Sequence, residues 1–146
     1  MKRILIMLAT LLALVASNAS AQEARRFEEG PVSVVTSVKI MDGQYDNYVN
    51  YLAKSYKPVL EAQKAAGLIV RYAVYDATPR TPEDADMLLV VVYPNMASFD
   101  GLRDKTEPLA EKVTGMSTEK SRLASVERGK MRQIMGSQMY RELILK

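Results

Sequence analysis

The chain has 146 residues, 48% of them hydrophobic, with 20 basic against 17 acidic side chains and no cysteine, histidine or tryptophan. Lacking cysteine, it makes no disulfide, thiol nucleophile or thiolate metal site. Lacking histidine, it has no Ser-His triad, no histidine-ligated haem and no histidine zinc site.

Lys2 and Arg3 precede an almost unbroken apolar run, Ile4 to Ala16, and Ala19-Ser20-Ala21 offers the A-x-A pattern that signal peptidase accepts. The run is a little over a dozen residues, whereas a membrane-spanning helix needs roughly twenty. A cleaved export signal over residues 1–21 is therefore expected, with a retained anchor as the alternative. The mature chain then begins near Gln22 and works in the periplasm or outside the cell. Lys2 and Arg3 leave with the signal, so 18 basic residues face 17 acidic ones, a net +1. That balance gives no reason to expect nucleic acid or an anionic membrane as partner, and no membrane span is expected in the mature chain.

Gln22 to Gly30 is charged and lacks a period, so residues 22–31 read as a loose lead-in to a single domain over 32–146. Val32 to Ile40 alternates: Val32, Val34, Thr36, Val38 and Ile40 point one way, Ser33, Val35, Ser37 and Lys39 the other. This pattern predicts a strand with one apolar face. Met41-Asp42-Gly43 turns the chain, and from Gln44 the spacing becomes helical. Tyr45, Tyr48, Val49, Leu52, Tyr56, Val59 and Leu60 share a stripe that ends toward Gly67. Pro58 lies inside it, so a kink or restart is expected there.

Ile69 to Tyr75 alternates again, with Val70, Tyr72 and Val74 opposite Ile69, Arg71, Ala73 and Tyr75. Asp76 to Asp86 is rich in Pro, Thr and Asp and reads as a loop. Met87 to Tyr93 (MLLVVVY) is apolar on both faces and predicts a central, covered strand. Met96, Phe99, Leu102, Leu109 and Val113 mark a second helix, interrupted at Pro108 and ending before Gly115. Ser117 or Thr118 caps a third helix reaching about Met135, with Leu123, Val126 and Ile134 on its core stripe. After Gly136, Ser137 to Leu145 reads as the closing strand.

The order β-α-β-β-α-(α)-β is the ferredoxin-like α+β pattern, a four-stranded antiparallel sheet with helices on one face. A shift of fifty positions lays Val38 on Leu88, Val49 on Phe99, Leu52 on Leu102 and Pro58 on Pro108. Either the doubled unit of this fold or chance between two amphipathic helices accounts for the echo. The uncovered sheet face, with Val35, Ala73 and Tyr75, predicts a homodimer packed sheet to sheet.

On element order, the two-faced strand Met87–Tyr93 and the segment Tyr56-Lys57-Pro58 to Gly67-Leu68, the chain resembles the dimeric α/β-barrel superfamily over Val32 to Leu145. That group includes the antibiotic-biosynthesis-type monooxygenases, the EthD-like proteins and muconolactone isomerases. The resemblance implies a small-molecule pocket between sheet and helices or inside the barrel, and activity, where present, without metal or organic cofactor. Its haem-handling members commonly use a histidine, which this chain lacks. No catalytic motif accompanies the resemblance.

Tyr48 and Tyr56, with Tyr45 and Tyr51, read either as core packing with hydroxyls at the rim or as the wall of an aromatic pocket. Ser37, Lys39 and Arg71, beside Ser33 and Tyr75 on the open sheet face, read either as an interface margin or as an anion-holding set. In the second reading Lys39 and Arg71 jointly hold an anionic group while tyrosines flank a ring system. Arg122, Arg128 and Arg132 read as a solvated helix face. Lys130 falls in the apolar stripe, where it snorkels or marks a misplaced helix end. Glu83, Asp84 and Asp86 lack the spacing of a calcium loop, so no metal site and no cofactor are expected. The expected function is binding of a small organic ligand. The alternatives are a cofactor-independent oxygenase or isomerase acting on an aromatic or polyketide-like compound, and a structural or partner-binding envelope protein.

Overall fold

The computed structural model describes residues 25–146; the expected export segment, its expected cleavage site and the first residues of the expected lead-in lie outside the described residues. Glu29–Ile144 forms one compact unit. In a second, small unit the Lys146 N–H donates to the Arg26 carbonyl at 3.0 Å, and the Lys146 ammonium sits 3.1 Å from Glu28.

Four strands, β1 (Phe27–Ile40), β2 (Arg71–Asp76), β3 (Met87–Tyr93) and β4 (Arg132–Leu145), form an antiparallel sheet in the order β2-β3-β1-β4. The register sets Val32 against Tyr93 and Val38 against Met87, then Arg71 against Val92 and Asp76 against Met87. β3 coincides with the run MLLVVVY. It has a hydrogen-bonded strand on each side, and Met87 and Leu89 on one face and Val90 and Val92 on the other are all buried.

The first helical segment lies over the face that carries Val38, Met87 and Leu89. It consists of α1 (Tyr45–Tyr51), a π-turn (Leu52–Tyr56) and α2 (Lys57–Ala65). Pro58 explains the division. Its ring crowds the carbonyl of Lys54 and it has no N–H to return, which disfavours a regular α-helix at this point. The backbone widens instead, and the Lys57 N–H reaches back five residues to the Leu52 carbonyl. Pro58 then sits in the first turn of α2, where a missing N–H costs nothing. Leu52 and Tyr48 are both buried, and these two with Val38, Met87 and Leu89 form one core cluster. At the far end Gly67, left-handed at φ 72°, lets Leu68 N–H bond Gln63 and Gly67 N–H bond Lys64, closing the helix in a Schellman motif.

Four sequence expectations need correction. β1 begins at Phe27, five residues before Val32, because β4 extends far enough to pair with it; Arg141 meets Glu29 at 2.8 Å. Pro108 does not interrupt the second helix. α3 runs unbroken over Leu102–Thr114, and the break falls at Gly101, left-handed at φ 61°, after a short 3-10 turn over Met96–Phe99. The third helix, α4 (Thr118–Glu127), is capped by Ser117 as expected but ends eight residues early. A 3-10 turn over Arg128–Lys130 leads directly into β4, which claims Arg132 to Gly136 for the sheet. Finally, α4 is rotated from the predicted stripe. Leu123 and Val126 are 52% and 65% exposed, while Ser121, Ala124 and Arg128 line a cavity that opens to solvent. Lys130 lies outside the helix, paired with Glu127.

Candidate functional site

The helical face of the sheet gathers six tyrosines. α1 and the π-turn supply Tyr45, Tyr48, Tyr51 and Tyr56, β2 supplies Tyr72 and β3 supplies Tyr93. Tyr48 is fully buried and stacks on Tyr51 with centroids 5.9 Å apart. Tyr93 packs against Phe99 at 4.6 Å. Burial pushes the Tyr56 phenol far above its usual range, with the surrounding tyrosines adding to the effect. Burial also raises Tyr48, against the opposing pull of Arg132, and raises Tyr93. All three stay neutral at physiological pH, so they offer ring walls and hydrogen-bond donors but no catalytic base.

One cleft opens between this helical layer and the sheet, with a volume of about 300 Å³. Its apolar surface comes from Val49, Leu52, Ala53, Val74 and Met87, and Tyr56 forms one wall. At its rim the Tyr45 hydroxyl donates to Asp76 at 3.2 Å, a hydrogen bond that raises the Tyr45 pKa. The Tyr72 hydroxyl likewise donates to Glu61, and Lys57 completes the margin. The geometry is local in origin. Tyr45, Val49, Leu52 and Tyr56 are spaced along one helical face, while Tyr72, Val74 and Asp76 alternate along β2 on the face toward it.

The residues singled out from sequence do not form one site. Tyr48 belongs to the core and Tyr56 to the cleft wall. Lys39 is half-buried and engaged, its ammonium 2.9 Å from Asp86 Oδ1 and donating to the Asp84 carbonyl at 3.0 Å. Asp86 Oδ2 also accepts the Ile40 N–H at 2.7 Å. That backbone hydrogen bond, together with Lys39, holds the Asp86 carboxyl below the usual carboxylate range despite partial burial. Lys39 and Arg71 are also far apart. Arg71 pairs with Val92 and Lys39 lies one residue beyond the Val38–Met87 pair, about six strand residues away, roughly 20 Å, and on the opposite side of β3. Within one chain they do not jointly hold one anionic group. Arg71 and Tyr75 are exposed on the face away from the helices. Ser37 borders a shallow groove with Glu83, Asp84 and Gly136; the Asp84 carboxylate there already accepts the N–H groups of Arg80 and Thr81.

Two participants were not legible as site residues: Asp76, the partner of Tyr45, and Lys57. The strand alternation carried one step past Tyr75 would have put Asp76 on the face of Tyr72 and Val74. Arg128 and Arg132, expected on a solvated face, instead turn toward the tyrosines; the Arg128 guanidinium lies 4.8 Å over the Tyr51 ring. Among the described residues no group of three carboxylates could hold a metal ion, and no helix is long and apolar enough to cross a membrane.

No family model matches the chain, and no curated protein does. Two solved structures resemble it. HapK from Hahella chejuensis aligns with a TM-score of 0.50 and 12% identity, over 76% of this chain and 91% of HapK. A dimeric ferredoxin-like protein from an uncultured marine organism aligns with a TM-score of 0.45 and 14% identity, over 82% of this chain and 96% of its own. Sheet order, helix placement and the likeness to HapK define the class: the chain has a ferredoxin-like α+β fold.

Proposed function

We propose that the chain is an exported small-molecule-binding protein of the dimeric α/β-barrel type, and that its ligand sits in the cleft between the helices and β2. The observation that carries this reading is the cleft itself: an apolar slot walled by Tyr56 and closed at its rim by the Tyr45–Asp76 pair. Such a slot suits a compact planar molecule whose hydroxyl donates to Asp76 in place of the Tyr45 phenol. The raised pKa values of the buried tyrosines speak against a tyrosine base in this cleft.

Export is supported by Lys2-Arg3, the apolar run and Ala19-Ser20-Ala21; N-terminal sequencing of protein recovered from the periplasm should start at Gln22. A homodimer is supported by Tyr75, 49% exposed, and by six apolar side chains of β4 between Ile134 and Ile144, each 43–52% exposed.

The binding test uses β-naphthol, a fluorescent planar phenol, titrated against the mature protein and against Ala53→Phe, which fills the cleft from its exposed side. Saturable binding by the wild type and its loss in the variant are expected. Equal binding by the two proteins, or none by the wild type, overturns the proposal.

A further inference from the structure

A second cavity, of about 480 Å³, lies on the other side of Tyr56, between the π-turn, α3 and α4. Its apolar wall comes from Val59, Ala110, Met116 and Ala124, with hydroxyls from Ser55 and Ser121. Arg128 enters it from the turn that follows α4, and its guanidinium lies over the Tyr51 ring, 4.8 Å from the centroid.

The charge pattern around Arg128 is unusual. Its Nε is buried and has no hydrogen-bond partner. Among the described residues no carboxylate forms an ion pair with it, although neighbouring arginines are served: Arg122 has Glu119 at 2.8 Å and Arg103 has Glu107 at 2.9 Å. Glu127 lines the same cavity, but its carboxylate is taken by Lys130 on the exposed side. A buried guanidinium N–H without an acceptor is costly, and guanidinium is the side chain best matched to a planar carboxylate. The cation–π contact with Tyr51 holds the guanidinium in place before any ligand arrives.

We propose that this cavity is a binding site for a small aromatic carboxylate, with Arg128 as its anion receptor. The carboxylate accepts from Nε and an adjacent N–H of Arg128, and the ring rests among Val59, Ala110 and Ala124. One unpartnered cation calls for a monoanion, and alanines rather than bulkier residues on α3 and α4 leave room for a flat body. Tyr56 separates this site from the cleft beside β2, so the two ligands occupy different volumes, and this inference stands without the naphthol site.

The test compares naphthoate with naphthamide, its uncharged isostere, by calorimetry on the full mature protein. The wild type should prefer naphthoate by about tenfold or more, the scale of one charge-assisted contact. Arg128→Met should erase that preference while leaving naphthamide binding in place, a ratio that general loss of stability does not mimic. Ala124→Phe, which fills the cavity without touching the charge, should abolish binding of both. Ala53→Phe, in the other cleft, should leave naphthoate unaffected. Equal affinity for the two compounds in the wild type, a preference that survives Arg128→Met, or naphthoate binding lost on Ala53→Phe but retained in Ala124→Phe overturns the assignment.

Discussion

Asp86→Ala removes the acceptor that ties the end of the long loop to β1. The carboxylate takes the Ile40 N–H at 2.7 Å and the Lys39 ammonium at 2.9 Å, and both contacts lie in half-buried surroundings. A hydrogen bond to a charged group contributes roughly 1.5–3 kcal/mol where it is well shielded. Partial solvent access here reduces the ion-pair share to well under 1 kcal/mol. The loss should therefore be about 2 kcal/mol, most of it from the orphaned Ile40 N–H. Asp86→Asn keeps an acceptor for that N–H and should lose only about 1 kcal/mol. Urea unfolding at fixed protein concentration reads both values as midpoint shifts at constant slope. Acid supplies an independent reading. Because the folded-state pKa is depressed, the contribution is complete above the ordinary carboxylate value near pH 4 and is lost as pH falls through the lower folded value. The gap between wild type and Asp86→Ala should close over that range. A midpoint for Asp86→Ala within about 0.5 kcal/mol of wild type at neutral pH would refute the latch and return Lys39 to candidacy as a ligand-holding cation.

Leu52→Ala, in the buried centre beside Tyr48 and Met87, should cost about 2–5 kcal/mol in the same assay, since the cavity it leaves is walled by the sheet. Gly67→Ala meets no neighbouring atom, so its cost should be only the left-handed backbone strain, about 1–2 kcal/mol, read as a lower melting temperature. Tyr75→Asp, at an exposed position on the open sheet face, should weaken self-association in light scattering across a dilution series without lowering the stability of the dissociated chain. A wild-type mass of one subunit at every concentration would dispose of the dimer.

The sequence by itself determined the elements whose cause is local or periodic. A run apolar on both faces needs neighbours on both sides, which makes Met87–Tyr93 a central strand. Ser117 offers a cap to the next turn whatever packs around it. Tertiary structure decided what depends on partners distant in the chain. Arg132 to Gly136 fits a helical spacing on paper, yet an unpaired edge of β1 offers a full ladder of backbone hydrogen bonds, and pairing wins over propensity. Lys39 reads as a free cation until the loop returns Asp86 to it, 47 residues later. Arg128 reads as solvated because helical spacing alone cannot say which side of α4 faces the cavity. The reason is the same in each case: periodicity ranks the faces of an element, but only the packed assembly supplies the backbone edge, countercharge or ring that selects among them.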